Sequence, residues 1–108
     1  MIINGNSFSA SSLLSTHLKA NKRAVFVGEE TGGAYNGCVA GIYRIYEMPT
    51  SKLKIRMGLM QVEASYKQMP DGYGIMPDVE IIPTIEDRKQ YIDPELNWII
   101  NDINKLKN

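Results

Sequence analysis

The run Ala24-Val25-Phe26-Val27-Gly28 is the feature that most restricts what this chain can fold into. A strand with one wet face alternates polar and apolar residues. An unbroken apolar run asks for cover on both faces, as inside a parallel sheet. Parallel neighbours need a crossover, and the preceding sequence supplies one. Met1-Ile2-Ile3-Asn4 is a short apolar strand pattern, Gly5-Asn6-Ser7 is a turn, and Ala10, Leu13, Leu14 and Leu18 recur at helical spacing. The helix is expected to end near Asn21. These pieces form one strand–helix–strand unit, whose crossover is right-handed in nearly all proteins.

Dense punctuation follows. Thr31-Gly32-Gly33 and Asn36-Gly37 form a loop, then residues 39–48 and 53–64 read as two strands rich in Ile, Val, Tyr and Met. Pro49-Thr50-Ser51 joins them into an antiparallel hairpin, with Lys52, Lys54 and Arg56 alternating onto one face, the usual solvated side of such a ribbon. Asp71-Gly72 and Met76-Pro77-Asp78 are turns, and residues 79–82 form a last short strand. Asp93-Pro94 starts a C-terminal helix with Leu96, Ile99, Ile100 and Ile103 as its apolar stripe, and Lys105 and Lys107 suit its negative end. The fold class is therefore α/β.

At 108 residues there is room for one small domain. Lys plus Arg and Asp plus Glu both number 12, so no basic field exists to attract a phosphate backbone, and nucleic acid is excluded as a partner. The single Cys38 excludes an internal disulfide framework, and no apolar run approaches the ~20 residues of a membrane span. No metal or cofactor motif is present. The chain starts inside a strand pattern without the charged and apolar regions of a signal peptide, so it is expected to be part of a longer protein.

The chemically suggestive segment is Asn4-Gly5-Asn6-Ser7-Phe8-Ser9-Ala10-Ser11-Ser12, small and polar residues between a strand and the first turn of a helix. A hydroxyl there meets unpaired backbone N–H groups and the positive end of the helix dipole, which together can stabilise an oxyanion on an attacked carbonyl. Serine is equally a preferred helix N-cap. From the residues alone both readings of Ser9 stand.

The segment around Ser9, the block Gly28-Glu29-Glu30-Thr31-Gly32-Gly33, and Gly74-Ile75-Met76-Pro77-Asp78-Val79-Glu80 occur in this order over most of the chain. Together they resemble the C-terminal half of the C-terminal processing proteases, also called tail-specific proteases. The resemblance implies a serine peptidase with a crotonase-like core, residues 1–108 forming the C-terminal part of its catalytic domain. By the same carry-over Ser9 is the nucleophile and the Ala10 N–H is half of the oxyanion hole. The other half comes from a glycine-rich loop in sequence preceding Met1. Peptide or protein substrates and a periplasmic or cell-envelope location in bacteria follow from the family, and no cofactor does.

The sequence departs from the family where a lysine base and its orienting glutamine normally stand, since those positions are Ala34 and Cys38. It is similar instead to the tricorn-like branch, whose base is a histidine located earlier in the protein and whose closing region carries a carboxylate that orders the polar network. Asp71 occupies that last place, and it also reads simply as a turn former. His17 is eight residues beyond Ser9 on the same helix, ~12 Å away at ~1.5 Å per residue, and is out of reach for proton transfer. Its position on the apolar stripe suggests packing. Cys38 has no adjacent histidine and reads as a passive thiol. Two further readings remain: a non-catalytic binding module on the same fold, and a fragment that forms a homodimer through an exposed sheet edge.

Overall fold

The computed structural model describes residues 1–106. Its elements in chain order are β1 (Ile2–Ile3), α1 (Ala10–Ala20), β2 (Val27–Gly28), β3 (Gly37–Val39), β4 (Tyr43–Glu47), β5 (Lys54–Gly58), β6 (Gln61–Glu63), β7 (Val79–Glu80), α2 (Ile85–Lys89) and α3 (Pro94–Leu106). This is a mixed α/β structure, and among the described residues no helix is long and apolar enough to cross a membrane.

The strand–helix–strand unit forms as the pattern requires. β1, β2 and β7 make a parallel sheet in the order β1-β2-β7, with Ile2 opposite Val27 and Val27 opposite Val79. Ile3, Phe26 and Ile75 are fully buried at its centre, with Leu18, Ala24 and Tyr35 packed around them. Gly28 has φ +121°, and a Cβ there would stand 2.2 Å from the Ile3 carbonyl oxygen, so the close approach of β1 to β2 requires glycine.

Several expectations need correction. The buried apolar run is shorter than its pattern: Val25 is 53% exposed and only Val27 and Gly28 join the ladder. The Phe26 N–H instead donates to the Asp78 carboxylate at 2.8 Å, so a side chain takes the place of a neighbouring strand. The leucine stripe of α1 is also buried only in part, with Leu18 on the core. Ser12, Ser15 and Thr16 are buried while Leu14 is 54% exposed. The small hydroxyl residues let the helix lie close against the following loop, and each hydroxyl is satisfied: Ser12 donates to the Ser7 carbonyl, Ser15 to Ser11 and Thr16 to Tyr35, all at 2.8 Å. His17 is exposed and meets Tyr66 edge-to-face at 5.8 Å, so its packing role is a surface ring contact.

Helix α1 ends where expected, with Asn21 at its C-cap and Lys22 in the left-handed region at φ 51°. The segments expected as a single hairpin are antiparallel but fall into two ladders. β4 pairs with β5 with Tyr43 opposite Gly58, and β3 pairs with β6 with Val39 opposite Gln61. Between them Ala40, Gly41 and Ile42 face only Leu59 and Met60, a one-residue bulge carried by Gly41 at φ +76°. Every residue of β4 and β5 is exposed, and this ribbon extends a molecule measuring 67 × 36 × 22 Å. Lys54 and Arg56 do share a face, with Arg56 over the Tyr43 ring at 3.8 Å, while Lys52 sits in the turn and pairs with Glu47 at 3.7 Å.

α2 has no counterpart among the expected elements. It rests on a capping box in which Thr84 and Asp87 exchange hydrogen bonds, and these hold the Asp87 carboxyl below its ordinary range. α3 begins as expected, Asp93 accepting from the Leu96 N–H at 2.8 Å. Its stripe remains half exposed at Leu96, Ile100 and Ile103, and Glu95 is the residue it buries. Lys105 lies in the last turn, and Lys107 lies outside the described residues.

Candidate active site

The chain leaves β1 through Asn4, whose carbonyl accepts from the Ser7 N–H at 2.8 Å, and turns sharply into α1 at Ser9. Ser9 has φ 54° and ψ −116°, a conformation open to few non-glycine residues and costing on the order of 1–3 kcal/mol. It stands at the N-cap position, yet its side chain makes no capping hydrogen bond. Of the two readings open in the sequence, the structure removes the capping one. The exposed hydroxyl meets Cys38 Sγ at 3.8 Å, and either group can donate.

The strained turn is held by its neighbours. Gly33 N–H donates to the Ser7 carbonyl at 3.0 Å. A Cβ on Gly32 would lie 2.2 Å from the Gly5 carbonyl oxygen, and one on Gly33 would lie 2.0 Å from Ser12 Oγ. The paired glycines let the loop press directly on the serine turn. The loop is fixed in turn by the segment 74–75: Thr31 N–H donates to the Ile75 carbonyl, Ile75 N–H donates to Thr31 Oγ1 at 2.8 Å, and Gly74 N–H donates to Glu30 Oε1 at 2.7 Å. The three sequence blocks that resemble one family are thus one physical unit.

Among the described residues the Ala10 N–H has no hydrogen-bond partner. It opens α1, where the helix dipole favours negative charge. Ser9 Oγ next to a free N–H can attack a carbonyl carbon and place the resulting oxyanion on that donor. Among the described residues no proton acceptor of the needed kind touches Ser9. His17 is engaged with Tyr66, Lys19 forms an ion pair with Asp78, and Ala34 has no titratable group.

Asp71 does not contact Ser9 directly. Its Oδ1 accepts from Asn36 Nδ2 and from the Gly72 N–H, each at 2.8 Å, so the turn-former reading holds. It also lines a cleft of about 310 Å³ together with Ala34, Asn36, Cys38 and Gln61. Cys38 connects the two, with one side on the cleft and its sulfur on Ser9. A larger depression near Lys22 and Arg23 lies at the opposite end of α1 and has no part in this chemistry.

Asn36 was legible in the sequence only as loop chemistry. Its side chain donates to the Gln68 carbonyl and to Asp71 and accepts from the Gln68 N–H, tying the start of β3 to the 68–72 turn. An Asn-Gly dipeptide carries no signal for such a hub. The passive-thiol reading of Cys38 likewise missed its contact with Ser9, because the two are 29 residues apart.

A serine on a strained strand-to-helix turn also occurs in one class of hydrolases that use a serine nucleophile. The family model for peptidase family S41 matches residues 1–81, and the chain belongs to that family of serine peptidases. The match covers all three motif blocks, and α2 and α3 lie beyond it. No curated protein matches the chain.

Proposed function

We propose that this chain carries the nucleophile side of a serine peptidase site of the tail-specific type, on the tricorn-like branch and within a crotonase-like domain of a cell-envelope or periplasmic enzyme. Ser9 Oγ attacks the peptide carbonyl and the Ala10 N–H receives the oxyanion. Asp71, through the Oδ1 that gathers Asn36 and Gly72, orders the polar wall of the adjoining cleft. The general base is a histidine from outside residues 1–108. The observation that carries the reading is the Ser9 backbone at φ 54° and ψ −116° with its hydroxyl released from capping. Strain of this kind persists only where surrounding contacts enforce it, and it clusters at reactive groups.

Labelling with a fluorophosphonate tests the proposal. The 108-residue chain should label only very slowly, since a nucleophile without its base loses most of its rate enhancement. A polypeptide extended N-terminally should label readily, Ser9→Ala should abolish labelling, and Cys38→Ser should retain it. Rapid labelling of the short chain would show that the base is already present. Persistent labelling after Ser9→Ala would remove the nucleophile assignment.

A further inference from the structure

We infer that the cleft beside Ser9 receives a cationic side chain, a lysine or arginine of the peptide, through the carboxylate of Asp71. The inference rests on the reading of Ser9 as nucleophile, because that reading makes the cleft a place for a substrate residue next to the scissile bond. At about 310 Å³ the cleft lies at the lower end of ligand pockets (~300–1,000 Å³) and suits one side chain with its backbone.

Among the described residues lining it, Asp71 alone carries a formal charge; Asn36, Cys38, Gln61 and Ala34 are neutral. The two oxygens of Asp71 differ. Oδ1 accepts from Asn36 and from the Gly72 N–H, which fixes the plane of the carboxylate. Oδ2 has no partner among the described residues. Lys67, four residues before Asp71 in sequence, is committed elsewhere, donating to Glu63 Oε2 at 2.9 Å and to the Asn36 carbonyl at 3.0 Å. A pre-oriented carboxylate on the wall of an open cleft, with Lys67 engaged, favours a positive group. Ala34 offers an apolar surface for the methylene stem that a lysine or arginine brings with it. With Oδ1 already occupied the contact is monodentate, so lysine and arginine should be accepted about equally.

Amide chemical-shift titration of the ¹⁵N-labelled chain tests this without catalysis. The probes are Nα-acetyl-L-lysine methylamide, its arginine counterpart and the neutral Nα-acetyl-norleucine methylamide. Lysine and arginine probes should shift Asn36, Cys38 and Gly72 and bind about five-fold more tightly than norleucine, the preference shrinking with added salt. Asp71→Asn keeps an oxygen for Asn36 and Gly72 and should erase the preference. Asp71→Lys should transfer it to Nα-acetyl-glutamate methylamide. Equal binding of the lysine and norleucine probes, or an unchanged preference in Asp71→Asn, would overturn the inference. Either result together with normal Ser9 labelling would leave the nucleophile reading intact; failed labelling with a retained lysine preference would remove that reading alone.

Discussion

Gly33 lies so close to Ser12 that a Cβ on the glycine would stand 2.0 Å from the serine Oγ. The same residue donates its N–H to the Ser7 carbonyl, which also accepts from Ser12 Oγ. Gly33→Ala must therefore push the loop off the serine turn. We expect a loss of about 1–3 kcal/mol in urea unfolding, as for other overpacked sites, and relaxation of the strained Ser9 turn, visible as large amide shifts at Ser9 and Ala10.

Thr31 joins two segments through one buried hydroxyl, donating to the Gly33 carbonyl at 2.7 Å and accepting from the Ile75 N–H at 2.8 Å. Thr31→Val keeps the shape and removes both bonds. Ile75 is fully buried, so its N–H loses a partner that water cannot replace. The expected cost is about 1–3 kcal/mol by urea unfolding. A change indistinguishable from zero would show that the hydroxyl does not tie the glycine loop to the closing motif.

Acid should loosen the N-terminal side of the sheet through Asp78. Burial pushes its carboxyl up, but the hydrogen bonds from Lys19 and the Phe26 N–H, together with the Lys19 charge, outweigh that and hold it below the ordinary 3.8. A carboxylate with a depressed folded pKa contributes stability above the unfolded value and loses it as pH falls through the folded one. Thermal unfolding followed from pH 7 downward should show this part of the stability disappearing below about pH 4. Asp78→Asn should flatten that acid limb. Asp78→Ala, which strands the buried Phe26 N–H, should cost about 1–3 kcal/mol at neutral pH.

The β4–β5 ribbon is amphipathic. Ile42, Tyr46, Met48, Leu53, Ile55, Met57 and Leu59 share one exposed face with Arg44, while Lys54, Arg56 and Glu47 occupy the other with Tyr43 and Ile45. A free two-stranded hairpin is marginal in water. If the chain self-associates through this ribbon, light scattering after size exclusion should show mass rising with concentration, and Ile55→Lys with Met57→Lys should restore a monomer. A monomer at all concentrations in the unaltered chain would remove the reading of a homodimer through an exposed sheet edge.

The sequence by itself determined most local elements, α2 excepted, and the family. The apolar strand run, the helical spacing ending at Asn21, the Asp93-Pro94 helix start and the antiparallel pairing are set by propensity and periodicity within a few residues, and such short-range preferences survive in the folded chain. Tertiary structure decided what those preferences leave open. α1 buries Ser12, Ser15 and Thr16 more fully than its leucines, and at Ser12 a small residue permits the close approach of Gly33. Ser9 is released from capping as that loop and residues 74–75 hold its turn, and Cys38, which lines one cleft with Asn36 and Asp71, comes beside it across a long sequence separation. Contacts of that range depend on how the whole chain closes, so no local pattern announces them.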